Sequence, residues 1–341
     1  MWAYEFTRLS SKTNRLRGID LDIDALNREF LHFRGVVIRS LLEAMSVEHL
    51  RASNTVIAGT LNLLLLEAHQ GSTPHWRFHL KGLQQLMALR GGARGVAQAA
   101  GAESILPTFA HYYSTTVLSD STSPASDMMI SKINIDDFEF IIEEYGERNG
   151  AFASFPPELF REVVNINHLR SRATQELTLM STLTSEAYQT LTRIHMFGPQ
   201  VWVSNRPRGM EEWTLLARLN QAAVALYCIL SLQSVSILPD TPSLRDSRST
   251  LAGLVKTHLD EAMRSPRSRR SLTWYFVVLG VQAVHAGGNM REYVRTRLSE
   301  LSHFSASYRP LAAKEILEEF WTSGLTTWDD CFDKPYALCP R

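Results

Sequence analysis

"HWRFHLKGLQQLMALRGG" occupies His75–Gly92. Two histidines four apart stand at the head of an apolar pattern that closes on two glycines. Trp76, His79, Leu80, Leu83 and Leu86 or Met87 recur at steps of three and four, so one helical face is apolar. Ser72, Thr73 and Pro74 precede the pattern, a capping residue and a proline suited to the first helical position. Arg90 falls in the last turn, where the helix dipole favours a cation. Gly91 or Gly92 can take the left-handed conformation that ends a helix. The stretch therefore predicts a capped amphipathic helix. Gly82 lies in its interior, where glycine costs about 1 kcal/mol relative to alanine, so a close helix approach is expected there.

The same period extends in both directions. Ile23–Met45 places Leu26, Phe30, Phe33, Val37, Leu41 and Met45 on one stripe. Val47–Gly71 is apolar on more than one face, as a helix buried among others would be. Gly95–Ser119 reads as one helix, or two broken at Pro107, and Asp136–Gly146 as a shorter one. Pro157–His195 is the longest single pattern, and Glu211–Val235 the most apolar. Four more helices are expected near Thr250–Met263, Ser271–Ala286, Asn289–Leu301 and Leu311–Ser323. Ser119–Asn134, rich in Ser, Asp and Pro, reads as the clearest loop, with others at Phe197–Met210 and Leu238–Ser249. Alternating strand patterns are nearly absent. The expected fold is all-α, an array of packed antiparallel helices in a single domain over 21–335. A flexible segment at 1–20 and a tail at 336–341 flank it.

Charge narrows the function. The 35 basic and 35 acidic residues cancel, without the basic excess that drives phosphate binding by a dedicated nucleic-acid domain. Three cysteines, Cys228, Cys331 and Cys339, form no CxxC pair and no disulfide framework, so a reducing compartment is expected. No run of 18 uninterrupted apolar residues suggests a membrane span.

Catalytic patterns are missing. "RGGARG" (Arg90–Gly95) follows a helix, whereas a phosphate loop opens one. His75 and His79 are spaced to share a metal, but the interval holds Trp76, Arg77 and Phe78 rather than the glutamate of a hydrolytic zinc helix. Cys228 sits in an apolar helix, and Cys331 or Cys339 with His303 carries no nucleophile signature. Glu143/Glu144, Glu318/Glu319 and Asp329/Asp330 are sequence neighbours that point apart on a helix and read as solvated surface. "RSPRSRRS" (Arg264–Ser271) reads as a basic loop, with an acidic or phosphate partner as the alternative. Arg8, Lys12, Arg15 and Arg17 are too sparse to define a nuclear-import segment.

Trp76, His79, Leu80, Gly82, Leu86, Arg90, Gly91 and Gly92 together resemble the signature of the second type of fungal-specific transcription factor domain. Three further pieces follow in order. Asn54–Gly71 is similar to the apolar helix, ending in a glutamate, that precedes the signature. "RSLTWYFVVLGVQAV" resembles its late helix, and "ILEEFWTSGLTTWDDCF" its closing segment with Trp321 and Trp328. The resemblance spans roughly residues 30–335 and implies a regulatory domain in the nucleus, controlling RNA polymerase II transcription through protein contacts or an effector. The transcription machinery or co-regulators would be its partners, self-association is open, and no membrane is involved. No catalytic, cofactor or metal site is implied; the motif residues are architectural. In this family a six-cysteine Zn2Cys6 cluster usually reads DNA. The sequence lacks one, so zinc is expected only if a missing N-terminal cluster exists, and DNA is reached through it or indirectly. The chain then reads as a fragment or shortened product, or as a stand-alone regulator. The alternative is a helical enzyme or small-molecule binder with a pocket lined by aromatics such as Trp274, Tyr275 and Phe276, and a plain scaffold is the third reading.

Overall fold

Seven consecutive residues, Ala223–Ile229, are wholly inaccessible to solvent in the computed structural model. A run that long covers every face of a helix, so this helix must be surrounded. The structure describes residues 23–70, 76–98, 116–129, 139–140, 142–143, 155–174, 179–204, 206, 210–266, 268–305 and 307–338. Among them the ordered elements are helical and no strand occurs, so the fold is all-α.

Among the described residues the α-helices with both ends placed are, in chain order, α1 (Ile23–Ser46), α2 (Asn54–Gln70), α3 (Trp76–Leu89), α4 (Gly92–Ala97), α5 (Pro157–Ala173) and α6 (Met180–Met196). They continue with α7 (Pro199–Ser204), α8 (Met210–Ser234), α9 (Pro242–Ala262), α10 (Thr273–Gln282), α11 (Gly288–Ser305) and α12 (Arg309–Ser323). Helix α8 is the axis, packed against α5, α6, α7, α9 and α10. Residues Glu211–Ser234 are long and apolar enough to cross a membrane, but 83% of that window is buried inside the protein, as in a core helix. Every residue of α10 is also buried, which places Trp274, Tyr275 and Phe276 in packed core and not around a pocket.

Antiparallel neighbours follow from side-chain ties. Arg295 meets Glu318 and Lys314 meets Ser299, so α11 and α12 run in opposite directions. Glu162 near the start of α5 binds Arg193 at the end of α6, at 2.7 Å. The single pattern expected over Pro157–His195 is thus two helices. A straight 39-residue helix would be ~58 Å long and would leave the core. Folding back lets Leu183, Ala187, Leu191 and Ile194 be buried with α5.

Other expectations shift. Helix α9 starts at Pro242, eight residues before the expected Thr250, because the Thr241 hydroxyl accepts from the Leu244 N–H and Pro242 occupies the first turn. The expected loop at Phe197–Met210 contains α7; Gln221 donates to the Ile194, His195 and Phe197 carbonyls where α6 ends. In α1, Phe33 and Val37 are exposed rather than buried. That helix packs chiefly on α2, and Leu41, Ala44 and Met45 make the contact. Glu67, the glutamate that closes the apolar run of α2, is buried and held by Arg34 of α1.

Candidate functional site

The family-like motif forms a joint. Trp76, Leu80, Leu83, Leu86 and Met87 are buried, as the helical stripe requires, and His79 is half-buried beside them. Arg77 reaches the carboxylate of Asp127 at 2.8 and 2.9 Å and its carbonyl at 3.0 Å. A cation held there makes the face still less suited to a metal. His75 lies outside the described residues, and among those described no three His, Cys, Asp or Glu gather into a metal-holding group.

The end of the joint departs from expectation in two ways. Arg90 does more than complement a dipole: its guanidinium donates to the Ala52 carbonyl at 2.7 Å and to Asn54 Oδ1 at 3.3 Å. It straps the end of α3 to the start of α2. Gly82 is not a close approach, since a Cβ there would meet nothing within 4 Å. The crowded glycines are others. A Cβ on Gly95 would lie 1.8 Å from the Arg90 carbonyl oxygen, and one on Gly280 would lie 2.4 Å from Leu317. Gly91 and Gly92, at φ 81° and 80°, make the left-handed turn between α3 and α4, as the sequence indicates.

A second constellation was not visible in the sequence. The segment from Ser119, expected to be an open loop, is buried: Ser119, Asp120, Ser121, Thr122 and Ser123 are each 1% exposed or less. Residues 116–121 are helical and Ala125–Asp127 form a 3-10 turn. This segment surrounds Arg170 of α5, which has no exposed surface. The guanidinium donates to the carbonyls of Asp120 and Ser123, to Tyr227 Oη, and to Asp329 Oδ1 at 2.9 Å. Burial works against its charge, but Tyr227 and Asp329 outweigh burial and hold the guanidinium above its ordinary pKa. Burial also pushes the Tyr227 hydroxyl up to about 12, and that hydroxyl donates to Asn167 Oδ1. Asp329, expected on solvated surface, also accepts from the Ala125 N–H at 2.7 Å.

Two of the three tryptophans of the late pieces, Trp274 and Trp328, converge here. Trp274 Nε1 donates to Ser121 Oγ at 2.8 Å and Trp328 Nε1 to the Ser121 carbonyl at 2.9 Å. Trp321 Nε1 donates to the Gly280 carbonyl. Residues 336–338, expected as tail, are tied in: Thr122 Oγ1 donates to the Tyr336 carbonyl, and Ala337 and Leu338 are buried. One signal could have found the centre. Val163, Ile166, Asn167 and Arg170 follow the i, i+3, i+4, i+7 stripe of α5, so two polar residues stand at core positions.

The remaining candidates do not assemble. Cys228 and Cys331 are buried, and burial pushes both thiols up, away from nucleophile chemistry; Cys339 lies outside the described residues. Glu318 is paired with Arg295, and Glu144 lies outside the described residues. From the basic stretch Arg264–Ser271, Arg269 faces a cleft of about 660 Å³ between α11, α12 and the turn at Ser268–Ser271.

Comparison with known proteins fits this pattern. The family described as the fungal specific transcription factor domain matches residues 17–339. The chain is 37% identical over 335 residues to the phomenoic acid biosynthesis cluster-specific transcriptional regulator of Leptosphaeria maculans. That alignment covers 97% of this chain and 63% of the relative, so the chain spans less than two thirds of the relative's length. No solved structure matches.

Proposed function

The chain belongs to the fungal-specific transcription factor domain family, as a regulatory domain of a fungal transcription factor, and from that premise we propose how it acts. It works in the nucleus on RNA polymerase II transcription, through contacts with the transcription machinery or co-regulators or through an effector, and not as an enzyme. DNA is reached through another segment or a bound partner, and self-association is compatible with this role. The relative is named as a cluster-specific regulator of a biosynthetic pathway. We extend to this chain the class alone: control of a set of co-regulated genes.

One observation carries the reading: the family match runs from residue 17 to 339, and inside it Trp274 and Trp328 of the late pieces meet in one buried centre with Arg170. A domain built around a buried polar junction suits a role in which shape is the output. The experiment fuses the full chain to an unrelated DNA-binding domain and measures a reporter in a fungal host. Transcripts are profiled in a strain lacking the gene. A reporter change of several-fold, with coordinated loss of a gene set, is expected. An inert fusion together with an unchanged transcriptome and a cytosolic protein would overturn the reading.

A further inference from the structure

We propose that the cleft between α11, α12 and the turn at Ser268–Ser271 binds a small organic carboxylate with an apolar body, and that this is the effector site of the domain. The second half rests on the reading above; the first does not. The cleft offers about 660 Å³ and is shallow, largely open to solvent, so a ligand would be held along one side and not enclosed. Phe304 is partly exposed on its wall, 39% accessible, and gives an apolar surface for a ligand body.

The charges are unevenly committed. Arg295 lines the cleft but is engaged by Glu292 and Glu318. Glu300, the one acid among the lining residues, is taken by Arg297. Arg269 and Lys314 have no carboxylate partner among the described residues. Among the described residues the Lys314 ammonium donates to the Ser299 hydroxyl alone, at 3.3 Å. The Arg269 guanidinium lies over the Phe304 ring at 4.4 Å. Two cations left without anions beside an exposed aromatic ring therefore face the same space. A carboxylate supplies an acceptor to both cations, and an apolar chain covers the part of the ring that Arg269 leaves exposed. Because the chain as a whole has no net charge, general attraction for anions is weak, and binding must come from this local excess.

The test titrates the full chain with decanoate, decylamine and inorganic phosphate, read by calorimetry. Saturable one-to-one binding of decanoate is expected, with decylamine and phosphate at least about tenfold weaker. Arg269→Gln or Lys314→Gln should weaken decanoate about tenfold each, the usual worth of one charge-assisted contact. Arg218→Gln, at the smaller cavity between α8 and α9, should leave it unchanged. Thermal midpoints certify that each variant folds, and Lys314→Gln carries the test alone if Arg269→Gln does not. Equal binding of decylamine or phosphate, or undiminished binding by the folded variants, would overturn the site. If decanoate binds as expected but the variants leave the reporter response untouched, the effector role falls and the binding site stands. An inert reporter fusion falls on the transcriptional reading instead.

Discussion

Replacing Arg170 by methionine keeps most of the stem and removes the guanidinium. Three kinds of partner then lose their donor: the Asp120 and Ser123 carbonyls, Tyr227 Oη, and Asp329 Oδ1. Arg170 has no exposed surface and Asp329 keeps 23% of its side chain in water, so the abandoned carboxylate is only partly rehydrated. Removing one member of a buried ion pair typically costs 3–5 kcal/mol, and we expect about 3 kcal/mol or more here. With about 2.1 cal/mol/K of unfolding entropy per residue, a chain of this length moves by roughly 1.4 °C per kcal/mol. R170M should therefore melt about 4–7 °C below the wild type. Differential scanning calorimetry gives the midpoint. Near-ultraviolet circular dichroism should report disturbed packing of Trp274 and Trp328, both of which donate to Ser121. D329N keeps an acceptor oxygen and should cost less, about 1 kcal/mol. The two changes should be strongly non-additive, because each breaks the same contact. An R170M midpoint within about 1 °C of wild type, with an unchanged aromatic spectrum, would refute the view that this centre holds the fold.

Three further outcomes can be checked on purified protein. Gly280→Ala places a Cβ 2.4 Å from buried Leu317 and should destabilise by about 1–3 kcal/mol in urea unfolding, whereas Gly82→Ala meets nothing and should stabilise by about 0.5–1 kcal/mol. The opposite order would mean that the motif glycine is the packing contact after all. R90K distinguishes two roles of Arg90: lysine retains the charge at the helix end but not the two-acceptor strap to Ala52 and Asn54. It should lose about 1 kcal/mol, close to the loss in R90A; recovery to wild-type stability would favour the dipole role alone. Stability should also fall on mild acidification. Burial, reinforced by Arg172, holds the His168 imidazole below its ordinary value, and burial likewise depresses His258. The unfolded chain then binds more protons just below pH ~6.5, so stability rises with pH through that window and is lost as pH falls toward the folded values. The midpoint should drop between about pH 7.5 and 5.5, and H168Q/H258Q should flatten that slope; a midpoint that rises on acidification would sink the argument.

What could be read in advance follows the range of the forces involved. The stripe Trp76, Leu80, Leu83, Leu86 and Met87 is buried as its spacing indicates, and Gly91 and Gly92 take the positive φ expected of a helix end. Both are local: a 3.6-residue period and a missing Cβ act within one or two turns. Phe33 and Val37 show the limit. Their spacing is as good as that of Leu41, yet they stay exposed, because the number of neighbours around α1 is not written in α1.

Local pattern was enough to show that the chain is helical, roughly where most helices lie, and, through Trp76 to Gly92, which family it resembles. Tertiary structure alone decided what the polar residues do. Ser119–Ser123 has the composition of a surface loop, and Asp329 that of a solvated end. Arg170 draws the first inside and holds Asp329 half-buried, since a buried guanidinium needs acceptors on every side, and here they come from chain positions 47 to 159 residues away. Composition reports what a residue prefers alone. Only the fold brings together partners that make the opposite choice stable.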